Sequence, residues 1–346
     1  MKWLLCFIFL AASSCGFAQT YAILADRLID GKSDQALSNP TIVVREGKIV
    51  DINFNRAIPD SAIVIDLKGQ TVLPGLMDVH THLLAGPDDY NRDLYGNSPS
   101  YRALRAVMHL RTALNNGITT LRDVCSEGAG FADVDLARAV DSGFVDGPRV
   151  FPAGPGIAAT GQYLPFPDEQ NWTIDLPAGT QYATGVDECV RTVRVQRSRG
   201  VKWIKMYADF RSPTFSPEEM KAIVSEANKL GIQVAAHAQS AAGIRWAIEA
   251  KVPIVMGTDI GSFPWDINET RELGFYVRKG GLSPMDAIKT ATLNTARLLR
   301  IENKLGQIQK GYIADIIAVK GNPLEDISLL QQVDFVMKEG KLYKKP

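Results

Sequence analysis

The middle of the chain alternates short apolar segments with helical patterns, and this alternation limits the folds open to it. One helix has a clear start, with Ser216 as its N-cap, Pro217 in its first turn and Glu219 at the third position, and it is predicted to end at Gly231. Nearly continuous apolar strands that alternate with helices predict a parallel sheet covered on both faces, as in a (β/α) barrel. The six predicted strands lie in TVLPGLMDV, GITTLRDV, PRVFPAG, VKWIKMYA, IQVAAHA and VPIVMGTD.

The two ends of the chain have a different pattern, with short alternating strands separated by Gly and Asp-Gly turns. The same style before the barrel and after it indicates that both ends build one small domain. We therefore predict a composite β-sandwich domain formed by residues 19–68 and 307–346, and a barrel domain over residues 69–306.

The first 18 residues have the pattern of a signal peptide, with Lys2 as the charged region, an apolar run, and Gly16-Phe17-Ala18 as a small-x-small cleavage site. The apolar run is too short to anchor the chain across a bilayer. This pattern predicts export to the periplasm or the medium. The alternative interpretation of this N-terminal pattern is lipidation at Cys15.

The charge balance argues against several classes of partner. Lys plus Arg and Asp plus Glu number 38 each, so the chain has no overall field that would attract nucleic acid or an anionic membrane. We expect a small-molecule or peptide substrate instead.

Polar residues capable of chemistry follow the predicted strands at their C-terminal ends, which is the catalytic face of a barrel. In the segment DVHTHL, His80 and His82 are two residues apart, so a strand sends both imidazoles to the same face. Neutral imidazoles at short range suit Zn, Fe, Ni or Mn. The motif alone is weak, but three of only four histidines lie at strand ends. These strand-end residues are His80, His82, Asp123, Lys205, His237 and Asp259.

Lys205 and Asp259 each have a functional and a structural interpretation. A lysine in a strand buried on both faces needs a partner, so Lys205 either points inward and is carboxylated by CO2 or extends to the surface. Asp259 either binds a cation and accepts a proton or serves as a helix N-cap. His109 lies in the middle of a helical pattern and is interpreted as structural.

With these residues identified, the chain resembles the amidohydrolase superfamily, in the branch of imidazolonepropionase-like proteins and metal-dependent Xaa-Pro dipeptidases. The matching pieces run in family order along the chain. They are VLPGLMDVHTHL, GITTLRDV, PRVFPAGPGIAATG, WIKMYAD, VAAHA, MGTDIGSFP, SPMDAIKTATLNTARLL and GQIQKGYIADIIAV.

The resemblance implies an α/β fold, an amidohydrolase-type (β/α)8 TIM barrel, with one or two bound divalent cations, zinc being the first choice. His80 and His82 would bind one cation with Asp259, and Lys205, as a carbamate, would bridge to a second one held by His237 and a further histidine. A metal-activated hydroxide would attack a carbonyl, and Asp259 would move the proton to the leaving nitrogen.

The chain departs from the family pattern between His237 and Asp259. The family carries its remaining histidine there, on the sixth strand, whereas this chain is too short at that place for strands six and seven. Six barrel strands are evident, and the junction lies at Ala250-Lys251. Three explanations of this short stretch are open, in order of preference. They are a segment missing from the sequence, a true deletion variant, and completion of the barrel by homo-oligomerisation. In each case the second cation position lacks a ligand.

The leading functional prediction is an amidohydrolase that cleaves the C–N bond of a dipeptide or an N-acyl amino acid. The alternatives are a mononuclear cyclic-amide hydrolase like imidazolonepropionase and an inactive remnant. Gln162, Tyr163 and Tyr207 are candidates for substrate contact.

Overall fold

The computed structural model describes residues 19–86, 90–161, 178–208, 215–237 and 255–345. The predicted signal peptide and the Ala250-Lys251 junction lie outside these residues, and so do Gln162 and Tyr163. The described strands are β1 Thr20–Leu28, β2 Leu37–Ser38, β3 Thr41–Arg45, β4 Lys48–Asn53, β5 Ile63–Pro74, β6 Leu76–Thr81, β7 Ile118–Asp123, β8 Arg149–Phe151, β9 Gly156–Ala159, β10 Thr180–Ala183, β11 Trp203–Tyr207, β12 Gln233–His237, β13 Ile316–Lys320, β14 Val333–Lys338 and β15 Lys341–Lys344.

The helices lie mostly between the strands of the middle region. The predicted capping box is confirmed, because the Ser216 hydroxyl accepts a hydrogen bond from the Glu219 amide at 3.2 Å and Glu219 accepts one from the Ser216 amide at 2.7 Å. None of the described helices is both long enough and apolar enough to cross a membrane. The α-helices are α1 Tyr90–Gly96, α2 Pro99–Asn115, α3 Ala132–Asp141, α4 Val186–Ser198, α5 Pro217–Lys229, α6 Arg271–Arg278, α7 Pro284–Thr290 and α8 Leu293–Leu298.

The two ends of the chain share one eight-stranded sheet, with the order β15-β14-β13-β5-β1-β3-β4 and β2 beside β1. Strand β5 lies parallel to β1 and antiparallel to β13. The core of this eight-stranded sheet consists of alternating inward residues such as Ile23, Val72 and Phe335, each fully buried. Because β5 continues past residue 68 to Pro74, the sheet extends beyond the predicted boundary, and the domain limits remain a prediction.

Among the described residues of the middle region, all strand pairs are parallel. Strands β6, β7 and β8 form one sheet, and β10, β9, β11 and β12 form another in that order. The predicted α/β architecture with parallel strands is confirmed. Closure of the strands into a ring stays a prediction, because residues 238–254 are outside the described chain.

The last predicted barrel strand differs from expectation. Residues 255–259 form no regular strand, and Ile260 makes a single parallel bridge to Thr81. The segment nevertheless runs beside β6, since the Val79 amide donates to the Met256 carbonyl at 3.1 Å. A left-handed residue, Asp259 with φ 63°, interrupts the extended backbone.

Candidate metal centre and active site

Strand β6 brings both histidines of the DVHTHL segment to one cavity. Their ring centroids are 5.6 Å apart. The hydroxyl of the intervening Thr81 points the other way and donates to the Arg122 carbonyl at 3.1 Å. The period-two alternation of a strand therefore explains why the two imidazoles face the same space.

Asp259, in the segment that runs beside β6, is the third residue of this group with His80 and His82. Its amide donates to the His80 carbonyl at 2.8 Å. Its Oδ1 lies 3.4 Å from Nε2 of His80 and 3.1 Å from Nε2 of His82. The unusual φ of 63° aims this carboxylate at the two rings, and a strained residue of this kind is frequent at functional sites.

These three side chains have the chemistry and the spacing of a cation site. Each offers one ligand atom, and the three atoms lie within 4.8 Å of one another. Two imidazole nitrogens and a carboxylate oxygen are suitable ligands for zinc and similar divalent ions. The residues present therefore fit the cation that the sequence pattern predicts.

Two glycines allow the Asp259 segment to approach the histidines closely. A methyl group on Gly257 would come within 2.9 Å of the His80 Cβ. Gly261 has φ 108°, and a methyl group there would come within 2.7 Å of the His82 Cβ. Only glycine fits at these positions without displacement of the ligands.

Asp78 links strand β6 to the segment that carries Asp259 through hydrogen bonds. Its carboxylate accepts from the His80 amide at 3.0 Å, from the Thr258 amide at 3.2 Å and from the Thr258 hydroxyl at 2.5 Å. Burial raises the pKa of Asp78 to about 6. The sequence analysis missed this residue, because its partner Thr258 is 180 positions away in the chain.

The pKa values of the three ligand residues follow from their burial and their contacts. Burial, then Lys205 and His82, hold the pKa of His80 well below its usual value. Burial acts in the same direction on His82, but the adjacent Asp259 and Glu127 carboxylates outweigh it and raise the pKa of His82 to about 10. Burial opposes ionisation of Asp259, yet His82 lowers the pKa of Asp259 to about 2. His82 and Asp259 thus form an ion pair in the structure.

Lys205 and Tyr207 reach the same cavity from strand β11. Lys205 is 2% exposed, and its Nζ lies 5.4 Å from the centroid of the Tyr207 ring. Burial lowers the pKa of Lys205, which favours the neutral amine. Strand β12 places His237 opposite Tyr207 in the register, with the ring centroids 5.6 Å apart.

The cavity has a volume of about 310 Å³. The predicted ligands His80, His82, Lys205, His237 and Asp259 all line it, together with the substrate candidate Tyr207. The structure thus brings together six of the eight predicted site residues. The other two, Gln162 and Tyr163, fall outside the described chain.

Two further strand-end and helix residues lie outside this cavity lining. Asp123 is fully buried and accepts from the Leu83 amide at 2.9 Å, so it supports the loop after β6. His109 stacks on Trp265 with 4.9 Å between the ring centroids, and its Nδ1 lies 2.9 Å from the Leu83 carbonyl. Burial lowers the pKa of His109 to about 4. These contacts agree with the structural interpretation of His109.

Glu127 is a cavity residue that the sequence analysis did not identify. It follows strand β7 by four positions and is 5% exposed. Its Oε1 lies 3.0 Å from Nδ1 of His82. The rule that polar residues after barrel strands face the site could have found it.

Comparisons with known proteins agree with this fold. The Amidohydrolase family model matches residues 71–252 and 240–343. Ochratoxinase from Aspergillus niger is 28% identical, over 97% of this chain and 89% of its own length. Imidazolonepropionase from Thermoplasma volcanium is 21% identical, over 87% of this chain and 89% of its own length. The crystal structure of a Xaa-Pro dipeptidase with bound methionine superposes with a TM-score of 0.81 and 31% identity, over 94% of this chain and 100% of the other.

The alignments also bear on the predicted internal gap. The alignment with ochratoxinase runs over 439 residues, whereas this chain has 346, so the relative contains residues with no counterpart here. The two stretches matched by the family model meet at residues 240–252, which include the Ala250-Lys251 junction. Because the family model covers well over half of the sequence in its two stretches, the chain belongs to the amidohydrolase family.

Proposed function

We propose that the chain is a metal-dependent amidohydrolase that cleaves the amide bond of a dipeptide or an N-acyl amino acid. Family membership and the ochratoxinase and dipeptidase relatives support hydrolysis of amide bonds. The observation that carries the finer proposal is the convergence of His80, His82 and Asp259 within 4.8 Å on a cavity shared with Lys205. A cavity of about 310 Å³ is of the size that small ligands occupy.

The cation site consists of His80, His82 and Asp259, and a divalent ion such as zinc bound there would supply Lewis-acid activation of water and of the carbonyl. Asp259 accepts the proton of the attacking water and passes it to the leaving nitrogen. Its position within 3.4 Å of both imidazoles keeps it ionised for this task. Tyr207 and His237 lie on the neighbouring strands and contact the substrate or a second cation.

Lys205 is the proposed site of carboxylation. The neutral amine attacks CO2, a C–N bond forms, and the proton leaves the nitrogen for solvent, so that a carbamate anion remains. The buried position that lowers the lysine pKa supports this step. Growth of a carbonyl signal in the 13C spectrum of protein equilibrated with 13C-bicarbonate would support it, and Lys205→Arg should abolish that signal.

The number of bound cations separates the dipeptidase from the second candidate, a mononuclear cyclic-amide hydrolase. The chain has four histidines, and His109 is stacked on Trp265 outside the cavity lining. Among the described residues, one group of three His, Cys, Asp or Glu ligands is present. This observation favours a single cation.

The test measures zinc per chain and hydrolysis of a panel of Xaa-Pro dipeptides, N-acyl amino acids and a cyclic amide. Two ions and dipeptide turnover support the first candidate, and one ion with cyclic-amide turnover supports the second. Asp259→Asn should lower turnover by about 10³-fold, whereas Asp135→Asn, which changes an exposed carboxylate on α3, should not lower it. A chain that binds no zinc and turns over no substrate is an inactive remnant, which would refute the proposal. Export remains a proposal from the N-terminal pattern.

A further inference from the structure

Glu127 lies on the far side of His82 from the cation site. Nε2 of His82 faces Asp259 at 3.1 Å, whereas Nδ1 faces Oε1 of Glu127 at 3.0 Å. The two ring nitrogens point away from each other, so the imidazole separates Glu127 from the three ligand atoms. The Glu127 carboxylate therefore cannot bind the cation that Nε2 of His82 binds. It can, however, influence the His82 imidazole that binds this cation.

The backbone around Glu127 is held in a conformation that the residue alone would not favour. Glu127 has φ 49° and is followed by Gly128 with φ 83°. A non-glycine residue in this left-handed region is strained and persists only where its surroundings fix it. The side chain is 5% exposed, so the carboxylate is buried against His82 without access to much solvent.

The buried side chain of Arg102 holds the backbone of Glu127 in this conformation. Arg102 on α2 is 2% exposed, and it donates to the Glu127 carbonyl at 2.7 Å and to the Leu84 carbonyl at 2.8 Å. One guanidinium therefore ties the turn that carries Glu127 to the loop that follows His82. These backbone contacts fix where the Glu127 carboxylate lies relative to the His82 imidazole.

We propose that Glu127 is a positioning residue that accepts the Nδ1–H of His82 and thereby leaves the Nε2 lone pair free for the cation. A neutral imidazole carries one N–H, and a ring with its proton on Nε2 cannot bind a cation through that atom. A carboxylate behind the ring selects the useful tautomer and fixes the plane of the ring. The two atoms are 3.0 Å apart but are not aligned as a hydrogen bond, and cation binding is expected to align them.

This inference rests on the proposed function, and zinc affinity tests the two separately. Wild-type protein, Glu127→Gln and Glu127→Ala are titrated with zinc against a chromophoric chelator. We expect affinity to fall about 10- to 100-fold in both variants, the range for loss of a carboxylate behind a histidine ligand. The control is Glu226→Gln, a buried carboxylate on α5 that pairs with Arg194 at 2.7 Å, outside the cavity lining.

Each outcome has a defined meaning. Variants that bind zinc within twofold of the wild type overturn the role of Glu127 and leave the proposed function intact. A wild-type chain that binds no zinc refutes the proposed function itself.

A second measurement does not depend on the folding of any variant. In zinc-loaded wild-type protein labelled with 15N-histidine, the spectrum contains only four imidazoles. The proposal requires His82 to carry its proton on Nδ1 and to bind zinc through Nε2. The opposite tautomer overturns it.

Discussion

Glu269 provides a quantitative test of how burial shapes this fold. The side chain is 2% exposed, and its Oε2 accepts from the Asn116 amide group at 2.9 Å. Burial raises the pKa of Glu269 from 4.5 to about 7 in the folded chain. The folded protein therefore keeps this proton at pH values where the unfolded chain has released it.

The consequence is a loss of stability as pH rises. Between pH 4.5 and about 7 the folded state binds more protons than the unfolded state at this residue, so the free energy of unfolding falls across that interval. At about 1.4 kcal/mol for each pH unit, the full loss is about 3 kcal/mol, and it is complete above pH 7. Glutamine keeps an acceptor oxygen for Asn116 and carries no charge.

We therefore expect Glu269→Gln to be more stable than the wild type by about 3 kcal/mol at pH 8.5 and by less than about 1 kcal/mol at pH 5. Urea unfolding followed by circular dichroism at the two pH values measures the difference. Glu302→Gln, at an exposed position, is the control and should show no such dependence. Equal stabilisation of Glu269→Gln at both pH values, or none at either, would refute the reasoning.

Three further predictions concern the site and its support. Asp259→Asn should lower hydrolysis by about 10³-fold, because it removes both a ligand and the proton carrier, and steady-state assay of the zinc-loaded protein measures the loss. Gly261→Ala should lower the unfolding free energy by more than about 2 kcal/mol and weaken zinc binding, since φ is 108° and the new methyl group would overlap His82; urea unfolding and zinc titration check both effects. Arg102→Met should destabilise the chain by about 1–3 kcal/mol, because it removes the side-chain donor of the buried Glu127 carbonyl and leaves the Asp93 carboxylate with Arg105 alone; an unchanged melting temperature would contradict this.

Local rules predicted a large share of the fold. The capping box of α5 and the shared face of His80 and His82 depend on residues a few positions apart, and the structure agrees with both. The structure also places the strand-end residues Lys205 and His237 in the lining of one cavity, whereas their roles as ligands stay a prediction. The capping box and the shared histidine face follow from residues a few positions apart, and the strand-end placement follows from the rule that a barrel carries its reactive residues at the C-terminal ends of its strands.

The supports of the site could not be predicted in the same way. Asp78 bonds to Thr258, and Arg102 bonds to the turn at Glu127, so both roles depend on residues that meet only in the folded chain. The short strands β9 and β10 also escaped prediction, because four residues are too few to show a period. The left-handed conformation of Asp259 could not be predicted either, because aspartate adopts positive φ more often than most residues but still only occasionally.

Strand β5 leads into β6 with only Gly75 between them, and this continuity sets an order of assembly. Strand β5 is completed by C-terminal strand β13, and the Thr71 hydroxyl donates to the Gly321 carbonyl 250 positions away. Pairing over such a distance in sequence is slow, since the intervening loop must close first. A nascent chain therefore acquires its histidine strand early in synthesis, but the platform that holds this strand in place is finished only after the last strands have left the ribosome.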